Sequence, residues 1–342
     1  MRDLTAVIER LIIGESLTSA EAEAALDVVM RGDASEIQTS ALLVALRGKG
    51  ETRQELAGLV HAMRAHAEPV HATHEHLVDT AGTGGGATTF NVSTAAALVA
   101  AGAGARVAKH GNRSSTSQCG SADVLEALGV GIDVDPQTTA QAIDQVGFGF
   151  MFAPRHHPAM RHVMPVRRGL AVPTVFNILG PLTNPAGAQR QVIGVSDPSR
   201  MALVADALVE LGIERAWVLR SDDGLDELSI AAVSKVIEVS GGETRRFKVE
   251  PEEVGVVRRT SLAGLEGGTP ADNAQKFRSV LAGDAGPARD IVVLNAAATL
   301  VVAGLAEDLA AGGLLATAAI DDGSAARVLD DLVAVTTEAV AR

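Results

Sequence analysis

Asp79-Thr-Ala-Gly82-Thr-Gly84-Gly85-Gly86-Ala-Thr-Thr89-Phe-Asn91-Val-Ser93-Thr94 joins the end of a short apolar strand to the start of a helix through four glycines. The pattern predicts the strand over Leu77–Ala81 and the helix over Val92–Ala103, with Asn91 or Ser93 placed to cap it. Glycines let backbone amides approach an anion, and a helix N-terminus adds its partial positive charge. Gly82 to Ala87 also matches the dinucleotide fingerprint G-x-G-x-x-A, which requires an acidic residue roughly 20 positions on. From Thr80 to Ala122 there is no Asp or Glu, so the dinucleotide reading fails. What remains is an acid-free tract of Gly and hydroxyl residues suited to phosphate. Taken alone, the same residues fit a glycine-rich turn with Ser or Thr capping a helix.

Outward from this turn, short apolar runs alternate with helical ones, which argues for βαβ units and a parallel sheet. Further strands are predicted at Arg106–Lys109, Phe148–Ala153, Gln191–Ser196, Ala216–Ser221 and Val236–Val239. Helices are predicted at Ala122–Leu128, Thr138–Val146 and Arg200–Leu211, and the chain beyond Pro270 reads as mostly helical. Before residue 70 the pattern is all helix. Thr18-Ser-Ala-Glu21 and Thr52-Arg-Gln-Glu55 fit capping boxes, and Leu4, Val7, Ile8 and Leu11 fall at helical spacing, as do Leu56, Leu59, Val60 and Met63. The expected class is α/β: a small all-α N-terminal domain over residues 1–70, then a larger domain over 75–342 with a mostly parallel sheet.

The chain of 342 residues is long enough for about two domains at roughly 150 residues each. It is 47% hydrophobic and 21% charged, as folded proteins are, and its net charge of −13 argues against nucleic-acid binding. Aromatics at 2%, with no Tyr, leave little for stacking on bases. A single cysteine, Cys119, excludes an internal disulfide and a Cys-rich zinc site. Neither a signal peptide nor a membrane span is read, so a cytoplasmic protein is expected.

Three further segments carry chemistry. Lys109-His110-Gly111-Asn112-Arg113-Ser114-Ser115-Thr116-Ser117, continuing to Gly120-Ser121-Ala-Asp123, follows a predicted strand and so lies where open α/β sheets bind ligands. Lys109 offers a point charge, and Arg113 either a fork for phosphate oxygens or a structural salt bridge. Arg155 to Arg168 holds four arginines and three histidines with no acid, a local reversal of charge that suits an acidic small ligand. Ser221-Asp222-Asp223-Gly224-Leu-Asp226-Glu227 places hard oxygen ligands on a loop, suited to Mg²⁺ shared with phosphates; a solvated acidic turn is the plain alternative.

These motifs, with Phe176-Asn-Ile-Leu-Gly-Pro-Leu-Thr-Asn-Pro185 and Asp223-Gly-Leu-Asp226-Glu227 in order, closely resemble the anthranilate phosphoribosyltransferase family. The resemblance implies transfer of phosphoribose from 5-phosphoribosyl 1-diphosphate (PRPP) to the amine of anthranilate, with release of diphosphate, in tryptophan biosynthesis. It implies a nucleoside phosphorylase-like fold, a helical domain completed by a segment near 165–185, a site at the hinge between domains, and a homodimer through the helical part. By position it assigns PRPP to Gly82, Gly85, Gly86, Thr89, Asn91, Val92, Ser93, Thr94, Lys109, His110, Gly111, Asn112, Arg113, Ser114, Ser115, Thr116, Ser117 and Ser121. Anthranilate falls to Gly82, Asn112 and Arg167, with His110 and Pro181 lining its path. Mg²⁺ falls to Ser93, Asp226 and Glu227. No general acid or base is implied; Lys109 would stabilise the transition state.

The chain departs from the family pattern in two places. The family loop reads Gly-Thr-Gly-Gly-Asp-Gly with two more residues before Thr-Phe-Asn, whereas only Gly86, Ala87 and Thr88 separate Gly85 from Thr89 here. The loop is therefore one residue shorter and lacks the Asp. Cys119 stands where the family commonly has Ser. The competing readings are a pyrimidine nucleoside phosphorylase-like enzyme, which needs no Asp-Glu metal pair, and a non-catalytic binding relative.

Overall fold

The computed structural model describes residues 4–74, 76–86, 89–114 and 118–340. Helices α1 (Leu4–Ile12), α2 (Ser19–Met30), α3 (Glu36–Lys49) and α4 (Arg53–Ala65) come first. Capping boxes start α2 at Thr18/Glu21, α3 at Ser35/Gln38 and α4 at Thr52/Glu55, each joining two otherwise orphaned amides to side chains. The Ser35 box was not read from the sequence.

Strands β1 (Leu77–Gly82), β2 (Arg106–Gly111) and β3 (Phe148–Phe152) alternate with α5 (Val92–Gly102), α6 (Ser121–Ala127) and α7 (Pro136–Val146). A crossing segment follows, with α8 (Ala153–His156), α9 (Met164–Leu170) and α10 (Phe176–Leu179). Then come β4 (Arg190–Gly194), α11 (Met201–Glu210), β5 (Arg215–Ser221), β6 (Ser234–Ser240) and β7 (Glu243–Val249). The chain ends in α12 (Pro270–Leu281), α13 (Pro287–Ala303), α14 (Leu309–Asp321) and α15 (Ser324–Val340).

The seven-stranded sheet runs β3-β2-β1-β4-β5-β6-β7. It is parallel from β3 through β5, and β6 and β7 are antiparallel. Alternate residues serve its two faces, because successive strand side chains point oppositely. Trp217, Leu219 and Val236 enter a core with α5, α13 and α15, while Ala216, Val218, Ile237 and Val239 enter another with α11. That second core continues into α1–α4 and takes in Val166, Phe176 and Leu179 of the crossing segment, so the helical unit is seated on one face of the sheet. α5 is buried nearly all round, which is why it is Ala-rich and carries no polar face.

β7 was not expected. It carries Glu243, Arg245, Arg246 and Lys248 and forms the sheet edge, where charges guard against further pairing and hide the strand's apolar signal.

Candidate active site

The polar segments converge at the carboxyl ends of β1, β2 and β5. Gly84 and Gly85 have φ of 67° and 85°, consecutive left-handed residues that favour glycine, and both are exposed at the rim. Asn91 sits at the N-cap position of α5, but its side chain makes no cap bond. Instead its Nδ2 donates to the Cys119 carbonyl at 3.0 Å and its Oδ1 accepts from Asn273 Nδ2 at 3.0 Å. The first turn of α5 thus has no side-chain cap, and its Val92 and Thr94 amides donate instead to the Phe90 and Asn91 carbonyls at 2.6 and 3.1 Å, which leaves the positive end of the helix facing the loop. Val92 and Thr94 are buried in that first turn, and Thr94 Oγ1 has no partner. Thr89 forms a single bridge to Glu266, which ties the returning end of the loop to the chain before α12.

Lys109 is almost fully buried. Its Nζ donates to the Thr80 carbonyl, reaches Thr80 Oγ1 at 3.1 Å and lies 3.5 Å from Ser93 Oγ. Burial pushes the ammonium down to about 8, against the opposing pull of Asp79 and Glu227. Beside it Glu227 has an enclosed Oε2 with no hydrogen-bond partner among the described residues. Burial, and then the neighbouring Asp226, hold the Glu227 carboxyl well above the usual carboxylate range; burial raises Asp226 as well.

Asp226 faces the glycine loop closely. A Cβ on Gly82 would stand 2.9 Å from its Oδ2, and one on Gly86 would stand 2.8 Å from its Oδ1. Two adjacent acids, one with an orphaned enclosed oxygen, are the arrangement that a divalent cation relieves. Their hard-oxygen chemistry, with the Ser93 hydroxyl 3.5 Å from Lys109 Nζ, fits Mg²⁺. Among the described residues no group of three His, Cys, Asp or Glu could hold a metal without a ligand's help. Asp222 pairs with Lys235 at 2.6 Å, and Asp223 accepts from the Ser229 hydroxyl at 2.5 Å while its charge adds to the rise at Glu227.

The segment after β2 folds back on α6. Gly111 abuts Ser121 and the Phe150 ring, and Ser121 Oγ donates to the Asn112 carbonyl at 3.3 Å. Asp123 accepts from Gly120 N and Ser114 N at 2.8 and 3.2 Å. Arg113 is not a free fork for phosphate. Its guanidinium reaches Asp123 Oδ1 and Glu126 Oε2, both at 2.8 Å, because both acids lie on the adjacent α6. Asn112 stays exposed at the rim. Ser115, Thr116 and Ser117 lie outside the described residues.

The other face of β2 carries His110, whose Nδ1 is 3.2 Å from the Gly180 carbonyl. That carbonyl must accept, so Nδ1 carries the proton and the partnerless Nε2 is an acceptor. Its ring centroid is 5.0 Å from that of His157, and burial holds both imidazoles neutral, His157 down to about 4. In the basic segment Arg155, Arg161 and Arg168 are exposed. Arg167 is half-buried, with its guanidinium 5.6 Å over the Phe176 ring and no carboxylate partner among the described residues. Burial lowers its pKa. Pro181 is buried, and its carbonyl accepts from Gln191 Nε2 at 2.9 Å.

Sequence reasoning missed two buried groups here. Asp79, at the middle of apolar β1, accepts from the His110 amide at 3.2 Å and from Asn184 Nδ2 at 2.7 Å. An acid inside an otherwise apolar strand was the available signal for Asp79. Asn184, 105 positions away, gave none.

The chain matches the glycosyl transferase family a/b domain over residues 74–326 and that family's helical bundle domain over residues 5–67. It is 48% identical to the anthranilate phosphoribosyltransferase of Moorella thermoacetica, over 97% of this chain and 98% of the relative. Against that of Thermomicrobium roseum it is 50% identical, over 95% of each chain. The crystal structure of anthranilate phosphoribosyltransferase from Thermus thermophilus superposes with a TM-score of 0.91 at 44% identity, covering 96% of this chain and 99% of that one. The Saccharomyces cerevisiae enzyme in complex with PRPP and Mg superposes with a TM-score of 0.88 at 28% identity, covering 98% of both. The same yeast enzyme has also been solved with 4-fluoroanthranilate. With both domains matched, relatives this similar along nearly the whole chain, and the buried lysine and acid pair gathered at the sheet's carboxyl edge, this chain belongs to the anthranilate phosphoribosyltransferase family.

Proposed function

We propose that this chain transfers phosphoribose from PRPP to the amine of anthranilate, giving N-(5-phosphoribosyl)anthranilate and diphosphate, in tryptophan biosynthesis. The observation that carries the reading is buried Lys109 beside an acid pair with an unpartnered oxygen, Asp226 and Glu227, at the glycine loop. A nucleoside phosphorylase has no use for such a pair.

The diphosphate would lie along the Gly82–Gly86 loop at the positive end of α5, with the ammonium of Lys109 countering its charge. Asp226, Glu227 and Ser93 would hold Mg²⁺, which when bound supplies positive charge to the leaving diphosphate. Arg167, unpaired and partly dehydrated, would fix the carboxylate of anthranilate, with Asn112 at the rim and His110 and Pro181 along its path. The C1′–O bond to diphosphate breaks as the amine nitrogen bonds to C1′ from the opposite face, and the amine then gives up a proton. Positioning and electrostatics carry the rate, since an aromatic amine is already largely unprotonated.

The helical unit leaves Ile12, Ile13 and Ile37 strongly exposed, which supports a homodimer through that unit. No helix of the described residues is long and apolar enough to cross a membrane, and a cytoplasmic place fits a biosynthetic role. Chromatography of the products tests the reaction. N-(5-phosphoribosyl)anthranilate and diphosphate in equal amounts are expected; release of free base from a pyrimidine nucleoside and phosphate would favour the phosphorylase instead.

A further inference from the structure

β1 and β2 separate earlier than either separates from its other neighbour. Their register holds at Leu77↔Arg106 and Val78↔Val107 and stops. β1 stays paired with β4 as far as Gly82↔Gly194, and β2 with β3 as far as Gly111↔Phe152. The split exposes backbone groups inside the protein, where each needs a partner.

Side chains supply them. Asp79 Oδ1 accepts from the His110 amide at 3.2 Å, and Lys109 Nζ donates to the Thr80 carbonyl. Asn184 Nδ2 donates both to the Ala108 carbonyl at 2.8 Å and to Asp79 Oδ2 at 2.7 Å. Its Oδ1 accepts from the Ala186 amide at 2.9 Å, which fixes the way the side-chain amide faces. Asp79, Lys109 and Asn184 are each at least 98% buried. Asn184 arrives from the crossing segment that also provides the Gly180 carbonyl to His110.

We propose that Asp79 and Asn184 are positioning residues that hold β1 and β2 apart, so that consecutive β2 residues serve the two substrates from opposite faces of the sheet. Lys109 is thereby turned to PRPP and His110 to anthranilate. An unbroken ladder would draw the strands to about 4.8 Å and pair the Thr80 carbonyl to backbone, which removes the group that now holds Lys109 Nζ. The inference rests on the substrate reading given under Proposed function.

The test compares Asn184→Ala with Thr336→Val. The latter removes a buried hydroxyl that accepts from the Gly131 amide at 2.9 Å, remote from the site on α15. Both variants should lose some thermal stability. Asn184→Ala should also lower kcat and raise KM for PRPP and for anthranilate, with kcat/KM down on the order of 100-fold, as small misplacements of reacting groups do. Asp79→Asn keeps an acceptor for the His110 amide and should show the same pattern more mildly, which covers a failure of Asn184→Ala to fold. If Asn184→Ala loses stability like Thr336→Val yet keeps both KM values and kcat, the proposal is overturned. A change in KM for anthranilate alone also overturns it, because Asn184 would then act through the crossing segment and not through Lys109. Wild-type protein that turns over neither substrate would refute the function reading itself, a result distinct from both.

Discussion

Arg167 has no carboxylate partner among the described residues; burial lowers its pKa, and its guanidinium rests over the Phe176 ring. If it receives the substrate carboxylate, Arg167→Ala removes a charged hydrogen bond of about 2–3 kcal/mol and raises KM for anthranilate some tens-fold, while KM for PRPP barely moves. Steady-state kinetics with each substrate varied in turn checks this; equal effects on both would contradict it. His157 yields a pH prediction. Its folded pKa of about 4 lies below the ordinary 6.5, so the folded form binds its proton less readily than the unfolded chain. Its contribution is therefore present above pH 6.5 and is lost as pH falls from there towards 4, on the order of 3 kcal/mol in all. Melting of wild type against His157→Gln between pH 7 and pH 4.5 should show the variant less acid-sensitive; parallel curves would refute it. At this scale the sequence marks Lys109 by the run of cations, amides and hydroxyls that follows a strand, and Asp226 and Glu227 as adjacent carboxylates on a loop. For Arg113 the sequence left a phosphate fork and a salt bridge open, and the structure pairs it with Asp123 and Glu126, one turn apart on α6. Asn184 was beyond reach, because its partners Asp79 and Ala108 are distant in sequence and only the fold brings them together.

At the scale of elements, close approach governs both the site and the helical unit. Gly86→Ala would put a Cβ 2.8 Å from Asp226 Oδ1 and 3.2 Å from the Gly224 carbonyl. Activity should fall at least about tenfold through a displaced Asp226 while the far-ultraviolet spectrum is unchanged, since about 1.4 kcal/mol of lost transition-state stabilisation suffices. Gly58 lies on α4, where a Cβ would run into the Ser19 carbonyl of α2. Gly58→Ala should cost about 1–3 kcal/mol and lower Tm by several degrees, with catalysis at low temperature retained. The six strands read from the sequence are apolar but for Asp79 and Thr80 in β1 and the charged ends of others, and they stand within a few residues of the limits read for them. β7 did not read as a strand because only Phe247 and Val249 face inward and the rest of it is charged edge. The Asn91 cap failed differently: its side chain was free to cap α5, but Cys119 and Asn273 engage it.

At the scale of the molecule, the helical unit and the sheet share one core, and the site lies where the crossing segment passes between them. Ile12, Ile13 and Ile37 are strongly exposed, and if the proposed homodimer forms through them, Ile37→Glu should shift light scattering towards monomer without loss of helix content. A glycine loop with no acid of its own would still serve metal-dependent phosphoribosyl transfer, because Asp226 stands against it with Glu227 next in the chain. Anthranilate fluorescence, followed on addition of PRPP with Mg²⁺ and again after EDTA, tests that claim most directly. A loss of fluorescence that requires Mg²⁺ and stops when EDTA is added is expected. Folded protein that leaves the fluorescence unchanged with Mg²⁺ present, or a loss indifferent to EDTA, would contradict it.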